Sequence, residues 1–199
     1  MRSGRGGGRS GSCASPGWTD CVRWESLAAA PDRIRVAQTL VTLSAQRGWS
    51  EAVMAEAAQA ALGHQERWLE HFPHGPADAI WFISEVSDAS MAERFATAGA
   101  ASIGAVIDER LRQNRHLKHF VWKVMLFDLL HPVQALRRMD RTARVMVRCL
   151  ARPPKAGGAR VHLLNGIYTL LVFVWLLDRS PGDTITRRLT RLLTRPLRL

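Results

Sequence analysis

Seven histidines and three cysteines have the widest chemical repertoire in this 199-residue chain, and their spacing decides what they can do. His71 and His74 lie on either side of Pro73, and His116 and His119 stand three apart on one predicted helix. A zinc centre needs three or four converging ligands, and two such pairs without cysteine or carboxylate company do not supply them. A di-iron bundle needs Glu-x-x-His repeated on inward faces, whereas this sequence offers one Asp128-x-x-His131. Neither a G-x-S-x-G elbow nor a P-loop occurs. The glycine-rich start cannot cradle a phosphate, because no strand precedes it and no helix follows. Cys13, Cys21 and Cys149 are too few for a disulfide framework and point to a reducing compartment. The expectation is a protein that is not an enzyme, with no catalytic residue, no metal and no cofactor.

Binding is the remaining repertoire, and charge says where to look. The chain carries 28 basic and 17 acidic residues, a net charge of +11. Up to residue 109 there are 9 basic and 13 acidic residues; from Arg110 onward there are 19 and 4. That segregation points the second half at an anionic partner: a nucleic acid, an anionic membrane or an acidic protein. With 47 % apolar residues the chain has enough to bury a core.

The elements that must position these groups read as helices throughout. Residues 1–20 are a Gly/Ser/Arg tail expected to be disordered, open to three readings: a transit peptide, a flexible tail or a misassigned start. From Pro31 the apolar spacing predicts helices over about 32–47, 50–62, 64–71, 76–98, up to Asn114, 116–130, 132–150, 160–178 and 183–199. Ser50 is the expected N-cap and Gly63 the expected stop of the second. No stretch alternates as a strand does, so the fold class is all-α, about nine helices. The domain spans 31–180, its part at 31–75 shaped like a helix-turn-helix, with a separate amphipathic helix at 183–199.

That shape raises a transcription regulator of the TetR type with a hydrophobic ligand pocket. Its electrostatics argue otherwise: between Arg33 and Phe72 four arginines face Glu51, Glu56, Glu66 and Glu70, and a segment without net positive charge is a poor partner for phosphates. No nucleic-acid partner is expected. The positive charge lies at the other end, where Ile185, Leu189, Leu192, Leu193 and Leu197 share one face of the last helix and Arg187, Arg188, Arg191, Arg195 and Arg198 the other. Such a helix either lies in the headgroup layer of an anionic membrane or packs its leucines back on the domain. Val161–Leu177 is uncharged over 17 residues, the lower edge of a membrane span, and reads as a helix buried in a core, a dimer interface or a lipid cavity.

Gly48-Trp49-Ser50-Glu51, Ala57-Ala58, Leu62-Gly63, Phe72-Pro73-x-Gly75 and Ala79-Ile80-Trp81-Phe82 lead into Ser87-Asp88-x-x-Met91. With Gly166-Ile167-Tyr168-Thr169 and Trp175-Leu176-x-Asp178-x-Ser180, these motifs resemble the ubiquinone biosynthesis accessory family known as "coenzyme Q nine" over about residues 32–199. The resemblance implies a TetR-like fold without DNA binding, usually a homodimer. It implies an isoprenoid lipid or quinone precursor held in a cavity and presented to a quinone-ring hydroxylase. It also implies peripheral attachment to the inner face of the cytoplasmic membrane, or to the matrix side of the mitochondrial inner membrane if the source is eukaryotic. The chain departs from the family at Ala151–Gly158, where a polar-aromatic run that engages the hydroxylase is replaced, which puts that partner in doubt. The expected cavity lining is Trp81, Phe82, Phe95, Trp122, Met125, Leu126, Leu129, Tyr168, Leu171, Val172 and Trp175. The expected membrane contacts are Arg187, Arg188, Leu189, Arg191, Leu192, Leu193 and Arg195.

Overall fold

The computed structural model describes residue 24, residues 30–152 and residues 158–197. The expected tail at 1–20, Arg198 and most of the departure at 151–158 lie outside these residues. Helix α1 (Pro31–Arg47) starts on a proline, whose missing N–H costs nothing in a first turn. Ser50 caps α2 (Glu51–Leu62), its hydroxyl accepting the Val53 N–H at 3.3 Å, and Gly63 closes it at φ 79°. The helix expected over 64–71 is split into a 3₁₀ turn, Gln65–Arg67, and a single turn, α3 (Trp68–His71). Then follow α4 (Pro76–Arg94), α5 (Ile103–Gln113), α6 (Lys118–Leu130), α7 (Pro132–Arg148), α8 (Gly158–Leu177) and α9 (Thr184–Thr194). The fold is all-α, as expected.

Two helices are shorter than expected. Ala100 N–H donates to the Cys149 carbonyl at 2.7 Å, and Ala151 N–H donates to the Ala100 carbonyl at 3.1 Å. This isolated parallel bridge follows directly on α7, which ends at Arg148, while α4 ends at Arg94 in a run of turns that leads to it. Gly99, at φ 68°, makes the approach possible, since a Cβ there would sit 2.4 Å from the Ala151 Cα.

The helices enclose two adjoining cores. Val36, Leu40, Met54, Ala57, Phe72 and Phe120 belong to the first, with Trp24 buried among them. Ile107, Met146, Leu164, Leu171 and Trp175 belong to the second. Helix α4 serves both: Ala79, Phe82, Ile83 and Val86 enter the first core and Met91 the second. Helix α8 is long and apolar enough to cross a bilayer, yet here it packs on α7, α9 and α5 and buries one side. Its other side leaves Leu163, Leu170, Phe173 and Leu177 exposed.

One buried carboxylate ties the second half together. Asp88 on α4 is 1 % exposed. Its oxygens meet Arg110 Nη2 of α5 at 3.1 Å and Arg141 Nη1 of α7 at 2.9 Å, and the Thr142 hydroxyl of α7 donates to Oδ2 at 3.0 Å. Burial pushes its carboxyl above the ordinary value, while the two guanidinium groups and the Thr142 hydroxyl pull it down.

A second carboxylate seats the last helix. Asp178, just past α8, accepts from Ser180 N–H at 2.9 Å, Ser180 Oγ at 2.6 Å, Thr186 N–H at 2.8 Å and Thr186 Oγ at 2.7 Å. Burial opposes its ionisation, but these four hydrogen bonds overcome that and hold the carboxyl well below the usual range.

Each carboxylate gives a stability prediction. Asp88→Ala leaves the buried Arg110 charge unmatched, takes from Arg141 one of its two carboxylates, and costs about 3–5 kcal/mol, read as a lowered urea midpoint. Asp178→Asn costs about 1.5–3 kcal/mol at pH 7. Because the folded pKa of Asp178 lies below its unfolded value, the wild-type advantage is full at neutral pH. It shrinks as pH falls below about 4 towards the folded value, so the wild-type and Asp178→Asn urea midpoints converge in acid.

Candidate functional site

Between α4, α6, α7 and α8 the packing leaves a cavity of about 420 Å³, within the size range of small-molecule sites. At one end of it α6 and α7 join through a tight turn. The Asp128 carbonyl accepts the His131 N–H at 3.1 Å, Pro132 starts α7, and the two helices splay from that corner. Phe127 stacks on His131 with ring centroids 4.0 Å apart, and Arg138 of α7 pairs with Asp128 of α6.

The walls are apolar: Ile83 of α4, Val121 and Met125 of α6, Met139 of α7 and Val172 of α8. The rim carries Trp122, Leu126, Leu129, Leu136 and Phe173, all exposed large apolar residues. The deep end is polar, formed by Ser87, Arg110, Thr142 and Tyr168. Tyr168 is buried, and burial raises its hydroxyl pKa against the pull of the neighbouring Arg110 charge. Arg110 is 5 % exposed; Nη2 binds Asp88, and neither Nε nor Nη1 has a hydrogen-bond partner.

Of the expected lining, Trp122, Met125, Leu126, Leu129, Tyr168 and Val172 meet on this cavity. The other five do not. Phe82 faces the first core, where its ring lies 5.9 Å from that of Phe72, and Leu171 and Trp175 fill the second core. Trp81 is half-buried with the Arg141 guanidinium 5.7 Å from its ring. Phe95 lines a separate polar cleft of about 530 Å³ beside Arg141, Arg148 and Ala151. Apolar periodicity marks which helix face is inward but not which inward residues meet a void. The lining that sequence reasoning missed is apolar at Ile83, Val121, Leu136, Met139 and Phe173 and polar at Ser87, Arg110 and Thr142, and of these eight only Ser87 belongs to a motif quoted from the sequence.

The last helix divides its apolar residues. Leu189 and Leu193 pack, partly buried, against the second core and flank buried Thr186 and Thr190. Thr190 and Thr194 lie over Gly104 of α5, where a Cβ would come within 2.9 Å of Thr194 Oγ1. Facing out are Leu192 and Ile185 with Arg187, Arg188, Arg191 and Arg195. Arg187 and Arg191 lean towards Asp108 of α5, whose carboxyl is raised by burial and lowered by those two charges. Arg188 and Arg195 have no carboxylate partner among the described residues.

At the other end of the molecule, the helix-turn-helix shape carries little free charge. Arg33 pairs with Asp78 at 3.3 Å and lies over the Phe82 ring at 4.4 Å. Arg35 pairs with Asp32, and Arg47 with Glu56. Arg67 meets both Asp32 at 3.1 Å and Glu70 at 3.3 Å. All four arginines expected to be balanced are engaged by carboxylates, and α3, where a reading helix would lie, is one turn long. The thiol of Cys149 is buried and pushed up to about 11, by burial first and by the Asp88 charge second, so it stays protonated at neutral pH.

No protein family matches this sequence, and no curated protein matches it, so the likeness to the coenzyme Q accessory family rests on its motifs alone. Among solved structures, a TetR transcriptional regulator from Nitrosomonas europaea ATCC 19718 superposes with a TM-score of 0.64 at 23 % identity. The match covers 85 % of this chain and 100 % of that one. At that identity the comparison speaks for architecture: nine α-helices among the described residues are arranged as a TetR-like fold.

Proposed function

We propose that this protein is a non-enzymatic binder of a long apolar lipid, working at an anionic membrane surface and assembling as a homodimer. The observation that carries the reading is the cavity between α4, α6, α7 and α8, apolar on its walls and opening through Trp122, Leu126, Leu129 and Phe173. Burying apolar chain there is worth roughly 0.8 kcal/mol per methylene, so a tail of several carbons suffices for binding. The motif resemblance gives the lipid as an isoprenoid or quinone precursor and its recipient as a ring-modifying hydroxylase. Arg188 and Arg195, with Leu192 and Ile185 beside them, are the residues of α9 available to an anionic headgroup layer. Exposed Leu163, Leu170 and Leu177 on α8 offer an apolar stripe to a second copy. Such a protein would sit on the inner face of the cytoplasmic membrane, or on the matrix side of the mitochondrial inner membrane.

A second reading has an observation in its favour: the solved neighbour is named a transcriptional regulator, and in that reading the same cavity is an effector pocket. It requires DNA contacts from α1–α3, where each arginine is already engaged.

Two measurements separate the readings. Mass spectrometry of an organic extract of the purified protein should find an isoprenoid or another long-chain lipid. Partition onto anionic vesicles should fall about thirtyfold in the Arg188→Gln, Arg195→Gln double variant, at roughly 1 kcal/mol for each arginine, with the melting temperature unchanged. Undiminished partition overturns the membrane part. Sub-micromolar duplex binding that is steep in salt and lost on Arg47→Gln with Arg67→Gln would establish the regulator instead, since the basic C-terminal half does not depend on those residues.

A further inference from the structure

The corner between α6 and α7 concentrates apolar side chains that nothing in the fold covers. From Val124 to Leu136 the one charged residue is Asp128. Its carboxylate is matched by Arg138, and both side chains are largely covered. Around that pair stand Leu126, Leu129, Leu130, Val133 and Leu136, all exposed, Leu129 at 70 % and Leu130 at 78 %. Leu130 and Val133 are not among the residues that line the cavity, so a ligand held there leaves them uncovered.

The polar groups of the turn are directed back onto the protein. His131 N–H donates to the Asp128 carbonyl at 3.1 Å, and His131 Nδ1 donates to the Phe127 carbonyl at 3.0 Å. The imidazole lies flat on the Phe127 ring, and Pro132 has no N–H to satisfy. A tip whose polar groups are paired internally loses little on leaving water, while its leucines gain.

Positive charge returns a short way behind the tip. Lys123 lies about 10 Å back from Leu130 along α6, and Arg137 about 8 Å back from Pro132 along α7. Neither has a carboxylate partner among the described residues. Trp122, exposed beside Lys123, is the amphipathic ring that favours the headgroup level of a bilayer. Over residues 117–148 there are seven basic and two acidic residues. This order by depth, apolar first and cationic behind, is that of a leaflet whose acyl chains lie beneath anionic phosphates.

We propose that the α6–α7 corner inserts into the acyl boundary of an anionic bilayer, with Trp122, Lys123 and Arg137 at the headgroups. The assignment rests on the membrane-surface reading and gives it an inserted anchor apart from the arginines of α9. Leu126, Leu129 and Leu136 also belong to the cavity, so insertion brings its rim to the acyl layer.

The test measures partition of the full-length protein onto vesicles of seven parts phosphatidylcholine to three parts phosphatidylglycerol. Leu130→Gln with Val133→Gln should lower partition about thirtyfold, because only the wild-type side chains gain by leaving water. Both sites are exposed, so the melting temperature should not fall. A second measurement reads the corner itself. Leu130→Cys, made together with Cys13→Ser and Cys21→Ser so that buried Cys149 is the one other thiol, carries a nitrobenzoxadiazole dye. On vesicles its emission should shift to the blue and be quenched by a nitroxide on the fifth acyl carbon. Undiminished partition of the Leu130→Gln, Val133→Gln variant, or a dye left unquenched on vesicles, overturns the corner as anchor. If partition is then lost in the Arg188→Gln, Arg195→Gln variant, the membrane reading stands on α9 alone. A blue shift that grows with protein concentration without vesicles assigns the corner to a second copy and overturns the proposal. No partition of the wild type removes the membrane reading and this inference together.

Discussion

The buried carboxylate of Asp88 is the constraint around which the second half of the molecule is organised. It draws α4, α5 and α7 to one point through Arg110, Arg141 and Thr142, and Tyr168 of α8 lies beside Arg110. Burying such a group is costly and seldom adds net stability over a well-packed apolar cluster. Its effect is on geometry: a charge that must be matched by two arginines on two other helices allows few alternative packings. The polar floor of the cavity and the clamp of the fold are one set of residues.

In the first half the basic side chains are matched close to home. Helices α1–α3 retain the compact helix-turn-helix shape, anchored by Met54, Ala57 and Phe72 against α6 and the start of α4. Their arginines are spent locally. Arg33 lies over two aromatic rings and binds Asp78, so its charge contributes to packing and little of it projects outward. Phosphate binding draws on cationic groups that face a polyanion, and in this segment Arg33, Arg35, Arg47 and Arg67 each face a carboxylate.

Much of this was legible in the sequence, and the reasons for the gaps are physical. The helices, the Ser50 cap and the Gly63 stop follow from local chemistry that acts within a few residues. The ends of α4 and α7 were missed because a pairing between Ala100 and Leu150 cannot be seen in either segment alone. Phe82, Leu171 and Trp175 were grouped with true lining residues because helical spacing reports burial, whereas cavity and core differ only in what stands opposite. Asp88 and Arg110 were read without a role in the site for the same reason: their significance is the pairing of residues far apart in the chain. The leucine stripe of α9 was read as one face, but Thr186 and Thr190 are the buried centre, and this rotates Leu189 and Leu193 inward.

The distribution of exposed apolar residues joins these features. Trp122, Leu126, Leu129, Leu130, Val133 and Leu136 follow one another around the α6–α7 corner, and Leu163, Leu170, Phe173 and Leu177 run along α8. Isolated surface leucines are ordinary, but this concentration on three consecutive helices is a surface that water penalises while it stays uncovered. Trp122, Leu126, Leu129, Leu136 and Phe173 belong to that surface and to the cavity rim at once. Anything that covers the surface, whether a second copy or the acyl layer of a membrane, therefore also changes what the cavity mouth opens onto. Helix α9, fixed by Asp178 and its threonines, packs on α5 and α8 and so carries its outward arginines on two of the helices that also contribute residues to the cavity.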